Sequence, residues 1–218
     1  MKQLIVRCLE LVAPSLLEKI RLGRFEKILP ANFMEQVKTL PEGSVCIDIG
    51  ANIGLVSSVM SRYATKVIAF EPNQEALKEL KRRAAKNPNI EVHNCAAGTT
   101  NKEVNLYLHE NVEYTQASSL VASKPNVSEG HYQVVQEIDF AEFLTKLNCN
   151  ISLIKIDIEG YEIELINHLL DHADLSKVGR IYVETHERKW PKLAVPTQQM
   201  KDRASAMGLG DKFDFDWV

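Results

Sequence analysis

The sequence has no long hydrophobic run, no excess of one charge, no clustered cysteines and no internal repeat, and each shortage removes a class of protein. No apolar segment approaches the roughly 20 residues that a membrane-spanning helix needs. Lys and Arg number 26 against 29 Asp and Glu, a formal net charge of −3. That balance creates no broad positive field, so no nucleic-acid partner is expected. The four cysteines, Cys8, Cys46, Cys95 and Cys149, stand far apart. They match neither a zinc ribbon nor the framework of a disulfide-stapled secreted domain, and Cys46 and Cys95 fall in runs that read as buried strands. A cytoplasmic location is the simplest expectation. Triplets of the glycosylation type at Asn126 and Asn150 carry no weight without a secretion signal.

What is present fits one globular domain: 218 residues, 45% hydrophobic and 25% charged. The start, MKQLIVRCLELVAPSLLEKIRLG, is interrupted by Arg7 and Glu10 and reads as amphipathic helix rather than as a targeting signal. Leu4, Ile5, Cys8, Leu11 and Val12 recur at helical spacing, Pro14 breaks the run, and a second helix follows through Leu16, Leu17 and Ile20. Residues 1–43 are expected to pack on the main domain, with a homodimer or membrane-surface contact as the other use of such a face. From Ser44 onward, SVCIDIG, KVIAFEP and IEVHNCAAG alternate with the helical runs LVSSVMSRYA and NQEALKELKRRAAKN. This predicts α/β architecture with parallel strands covered by helices on both faces. A hairpin or flap, 99–138, follows the third strand; Asp139 is a helix N-cap; alternation resumes with ISLIKIDIEG, YEIELINHLLDHA and RIYVETH. The tail holds a helix near 197–207 and one strand, DKFDFDWV, whose Asp214 and Asp216 read as edge-strand charges rather than a calcium site.

In such a sheet, ligands bind beyond the carboxyl ends of the strands. The loop DIGANIG closes the first strand and opens a helix whose N-terminal amides are expected to receive an acidic ligand group. Gly50 allows close backbone approach, Gly54 tight helix packing, and Asn52 tolerates a left-handed backbone where a pyrophosphate loop needs glycine. Asp48 would repel a pyrophosphate but suits an ammonium, which points to a nucleoside carrying an amino acid; a loop-bracing carboxylate is the alternative. Glu71 ends the second strand roughly 20 residues after Gly50, the separation at which an acid meets ribose hydroxyls. Asn94 is placed near an adenine edge or, equally, in a turn.

DIGANIGLVSSVMSRYATKVIAFEP together with the later LIKIDIEGYE resembles the FkbM family of S-adenosylmethionine-dependent methyltransferases, over roughly residues 44–186. The resemblance implies the class I methyltransferase (Rossmann-like) fold for 44–218: strand order 3-2-1-4-5 plus antiparallel C-terminal strands, of which only one candidate is visible. It implies S-adenosylmethionine as cofactor, lined by Asp48, Gly50, Asn52, Gly54 and Glu71. It also implies a small-molecule or carbohydrate acceptor whose hydroxyl is methylated, on a sugar, glycoconjugate or secondary metabolite. ASSL, 117–120, is similar to a serine-containing stretch of the family.

The catalytic candidates lie in two motifs. KIDIEGYE sets Lys155 and Asp157 on one strand face with Glu159 in the turn, and Lys155 needs a carboxylate partner whatever its role. VETHE places Glu184 and His186 beside them, His186 being the one histidine at a strand end here and one that titrates near neutral pH. His186, Asp157 or Glu159 could each serve as base, and Asp157 with Glu184 could hold Mg²⁺, although no metal is predicted. His168 and His172 read as a solvated helix face, and the basic run from Lys78 to Lys86 as an exposed one. An NAD-dependent oxidoreductase and a noncatalytic nucleoside-binding subunit remain as alternatives.

Overall fold

The computed structural model describes residues 14–109, 118–125 and 127–217. The first helical run, through Leu4 to Val12, residues 110–117 of the polar stretch, and Asn126 lie outside them. Six strands form the central sheet in the order β3-β2-β1-β7-β8-β9, and every neighbouring pair is parallel. β1 (Val45–Ile49) is central, between β2 (Lys66–Phe70) and β7 (Ile151–Ile156); β3 (Ile90–His93) and β9 (Phe213–Trp217) are the edges, with β8 (Val178–Glu184) inside the latter. The strands are apolar on both faces because both faces are covered. Ile47, Ile49, Ile154, Ile156, Ile181 and Val183 point into one core layer, beneath α5 (Phe140–Leu147), α6 (Glu162–His172) and α7 (Ala194–Ala206). Cys46, Val67, Leu153 and Tyr182 point into the other, beneath α1 (Pro14–Phe25), α2 (Ala31–Lys38), α3 (Leu55–Met60) and α4 (Gln74–Ala84).

Helix starts follow local chemistry. The Asn73 side chain accepts the amides of Glu75 and Ala76 at the head of α4, and Asp139 accepts that of Glu142 at the head of α5. In α2 the buried Phe33 packs edge-on against Tyr182 and Trp217, with ring centroids 5.1 and 4.6 Å away. Asn32 donates to Asp214 at 2.6 Å, which ties α2 to the sheet edge.

Two expectations need correction. The terminal strand is parallel, not antiparallel: α7 runs back between β8 and β9, so the chain enters β9 in the direction of β8, as in a βαβ unit. IEVHNCAAG is two strands, because the chain leaves the main sheet after His93. Its second half, β4 (Ala96–Gly98), pairs with β6 (Val127–Asp139) in a separate sheet of order β4-β6-β5, in which β5 (Lys102–His109) and β6 are antiparallel. Ser119 bridges back to Tyr107, with backbone bonds of 2.8 and 2.9 Å, and this carries residues 118–120 towards the main sheet.

Candidate functional site

A cavity of about 330 Å³ opens where β1, β2, β7 and β8 end, walled by Gly50 and Asn52, Glu71, Asp157 and Glu159, and Glu184. The small Ala96 and Ala97 of β4 and the segment Ser118–Leu120 close its sides.

The first wall is a turn with three left-handed residues, Gly50 (φ 74°), Asn52 (φ 49°) and Gly54 (φ 81°). The amides of residues 50–54 are all used within the protein. Gly50 and Ala51 donate to the Phe70 carbonyl, Asn52 to Glu71 Oε2 at 2.7 Å, Ile53 to Asn52 Oδ1 at 2.6 Å, and Gly54 to the Ala51 carbonyl. The orphan donors of the helix start therefore begin only with Leu55, since Gly54 offers α3 no side-chain cap. Gly50 is also where two loops touch: a Cβ there would lie 1.8 Å from the Asp157 carbonyl oxygen. Gly50→Ala should cost at least about 2 kcal/mol, from the positive φ and this clash together. Urea unfolding checks it; a midpoint equal to that of the parent would show that the two loops are free to part.

Glu71 is buried, and its carboxylate braces the turns on either side, accepting Asn52 N–H and Asn73 N–H at 2.7 Å each. Burial pushes its carboxyl up to about 7, against the pull of those two amides and of Lys155. Each oxygen spends one acceptor site on the backbone and keeps another.

Asp48 is fully buried, behind the cavity wall rather than on it. Its Oδ2 accepts the Ser57 hydroxyl at 2.6 Å, and Oδ1 lies 3.4 Å from Lys155 Nζ, its direct neighbour across β1 and β7. The Lys155 ammonium also donates to the Gly50 carbonyl at 2.9 Å and lies 3.3 Å from Asp157 Oδ2. Burial disfavours that charge, but Asp157 and Asp48 outweigh burial and raise the lysine's pKa.

Beyond β7, Glu159 adopts φ 59° and Gly160 φ 104°. Glu162 reaches back from α6 to hold this turn, accepting Ile158 N–H at 2.8 Å and Gly160 N–H at 2.9 Å. Ser119 Oγ donates to the Glu159 carbonyl, and Lys124 pairs with the Glu159 carboxylate at 2.6 Å. His186 sits inside this cluster, 4% exposed. Its Nδ1 is 3.2 Å from Glu162, and its Nε2 is 3.3 Å from Glu159, 3.8 Å from Glu184 and 4.0 Å from Asp157. Burial opposes an imidazolium, yet Glu159 and Glu162 win and hold His186 up to about 10. Glu159 is likewise driven down to about 2, its burial overcome by His186 and Lys124. A histidine so held carries its proton at neutral pH, which removes the reason for reading it as a base. Glu184 faces the cavity with its carboxyl raised by burial and by Asp157, and pairs with the exposed Lys189 at 2.7 Å.

Of the residues singled out from the sequence, Gly50, Asn52, Glu71, Lys155, Asp157, Glu159 and Glu184 meet at one cavity. His186 lies in the layer behind it, Asp48 beneath the turn, and Gly54 against Leu80 of α4. Asn94 is on the surface, where its Oδ1 accepts from Gln74 at 3.2 Å. Glu162, Lys124 and Lys189 were not singled out. Glu162 had a signal, a carboxylate just inside a helix start and able to cap backwards; the two lysines had none. His168 pairs with Asp139 at 2.9 Å away from the cavity, and the basic run of α4 is laced by Glu75–Lys78 and Glu79–Arg82 pairs. Among the described residues, Asp157, Glu162 and His186 can bring one metal-ligating atom each to within 4.8 Å of one another. No helix among them is long and apolar enough to cross a membrane.

A family model described as the methyltransferase FkbM domain matches residues 48–208. Among solved structures, a methyltransferase FkbM from Methylobacillus flagellatus KT is 19% identical with a TM-score of 0.40, over 64% of this chain and 33% of that one. The chain thus spans about a third of that protein's length. An rRNA methylase from Streptococcus thermophilus is 15% identical over 76% of this chain and 74% of that one, with a TM-score of 0.43. A precorrin-6y C5,15-methyltransferase from Geobacter metallireducens GS-15 is 14% identical over 77% and 66%, with a TM-score of 0.44. No curated protein matches the chain.

Proposed function

The chain belongs to the FkbM methyltransferase family, and from that premise we propose that it transfers a methyl group from S-adenosylmethionine to a hydroxyl on a sugar, glycoconjugate or secondary metabolite. One observation carries the reading. A single cavity joins the first-strand turn and a ribose-suited acid, Glu71, to the carboxylates at the ends of β7 and β8. On this reading the central sheet is the class I methyltransferase sheet extended by a parallel β9, residues 44–218 are the transferase domain, and 99–138 cover the acceptor.

S-adenosylmethionine, when bound, supplies the electrophilic methyl group. Glu71 fits its ribose, because it lines the cavity and each carboxylate oxygen, with one backbone amide bound, keeps an acceptor site to spare. Asn52 and Gly50 shape the adjoining wall without needing to contact a phosphate. In-line transfer requires the acceptor oxygen to sit opposite the sulfur and to lose its proton as it reacts. Glu184 holds the position for that proton: it lines the cavity, is ionisable, and stands across from Glu71's end of the pocket. Asp157, Glu159 and His186 orient one another beside it, and Lys155 balances the buried negative charge of Asp48 and Asp157.

Calorimetry with S-adenosylhomocysteine and, separately, NAD tests the reading, since Glu71 would suit the ribose of either. Binding of S-adenosylhomocysteine alone, lost in Glu71→Ala, is expected; binding of NAD alone overturns the assignment. The pH dependence has a definite sign. Ribose hydroxyls donate to the ionised Glu71, so binding draws on the deprotonated form and tightens as pH rises through about 7. Affinity should rise about tenfold between pH 6 and pH 8, and Glu71→Gln should flatten the slope.

A further inference from the structure

We propose that the layer behind the cavity floor is a divalent-cation site built on His186, Asp157 and Glu162. Acidic side chains grouped together occur without any ion, but here four of them surround one buried imidazole, and a cation bound at a ring nitrogen would displace the proton they hold there. His186 is 96% removed from solvent (4% exposed), and neither ring nitrogen makes an aligned hydrogen bond. Both nitrogens instead face carboxylate oxygens at 3.2 to 4.0 Å, from the turn after β7, the start of α6 and the end of β8. One ion can be reached by only one of the two ring nitrogens, so the spacing that bears on it is that of one donor atom from each residue. One donor atom each of Asp157, Glu162 and His186 lies within 4.8 Å of the others.

The surrounding charges select these three. Lys124 takes the Glu159 oxygen that faces the ring, and Lys155 draws Asp157 Oδ2 at 3.3 Å while Oδ1 stays on the histidine side. Glu162 is locked by its two backbone amides, as a ligand carboxylate needs to be. Asp157 alone of the three lines the cavity, so the open coordination positions face the acceptor space. One imidazole with two carboxylates suits a first-row transition ion such as Mn²⁺ or Zn²⁺ better than Mg²⁺ or Ca²⁺, which favour oxygen alone. The ion's role, though not its site, rests on the methyl-transfer reading: beside Glu184 it polarises the acceptor hydroxyl and eases loss of the proton.

The test is direct binding of Mn²⁺, by electron paramagnetic resonance, and of Zn²⁺, by calorimetry, to the full chain after chelator treatment. One equivalent per chain is expected, weakened at least about tenfold in Asp157→Asn and in His186→Gln, the change typical of losing a ligand or its support. A His168→Gln/His172→Gln variant should bind as the parent does, since that pair lies on another face. Circular dichroism and S-adenosylhomocysteine binding of each variant separate loss of the site from loss of the fold. If His186→Gln does not fold, Asp157→Asn alone decides. No stoichiometric binding, or binding that survives Asp157→Asn or falls with the His168/His172 variant, overturns the site. Failure of S-adenosylhomocysteine to bind while Mn²⁺ does would instead strike the methyl-transfer reading and leave the ion site standing.

Discussion

Glu184→Gln lowers turnover by about 10²- to 10⁴-fold, the range for removing a positioned general base, while S-adenosylhomocysteine binds within about twofold of the parent. Glu184 is chosen over the other candidates by position and by what its neighbours already do. Glu159 is engaged by Lys124 and His186, Glu162 by two backbone amides, and Asp48 is sealed behind the turn. Glu184 lines the acceptor side of the cavity, and its pairing with Lys189 is to an exposed, mobile-ended side chain that competes weakly with a bound hydroxyl. The glutamine keeps the shape and the acceptor oxygen but removes the basicity. Single-turnover kinetics with equal cofactor loading give the answer, and a variant retaining more than about half of the parental rate would remove Glu184 from the chemistry.

Lys155→Met destabilises the protein by about 3–5 kcal/mol, because it leaves Asp48 buried, charged and without a counter-charge. Asp157 can recover solvent when the lysine is gone; Asp48, with no exposure at all, cannot. The loss should therefore trace to Asp48. In the double variant Asp48→Asn/Lys155→Met the Ser57 hydrogen bond can persist while the unpaired charge is gone, and most of the lost stability should return. Chemical denaturation of the parent, both single variants and the double variant closes the cycle. A Lys155→Met protein within about 1 kcal/mol of the parent would mean that the pair is worth no more than a surface one.

The strands were legible wherever burial on both faces makes a short continuous apolar run, as in VCIDI, VIAF and SLIKI, and the N-cap Asp139 was legible from side-chain chemistry alone. The direction of β9 was within reach too: the helix at 194–206 already implied a parallel return, and the antiparallel expectation came from the family resemblance rather than from these residues. The break between β3 and β4 was hidden, because Cys95, Ala96 and Ala97 stay buried as they change sheets and so look like one strand. At the site, the spacing of Gly50 and Glu71 led to one wall of the cavity and the two charged motifs to the other. The protonation of His186 was invisible, since it depends on carboxylates from separate segments meeting around one ring.

The central position of β1 also governs the order in which the chain can be completed as it leaves the ribosome. β2 and β3 follow β1 closely, but its other neighbour comes much later: Lys155 follows Gly50 by 105 residues, with the whole β5–β6 sheet made in between. Through that interval the nascent half-sheet presents a raw edge, the kind of surface that recruits other chains. Asp48 lies on that edge and points inward, a charge that a stray apolar strand cannot satisfy. Lys155 arrives at the one register that answers it. The buried ion pair thus ties the sheet's stability to this one register, because a strand that sets an apolar side chain opposite Asp48 leaves its charge unanswered.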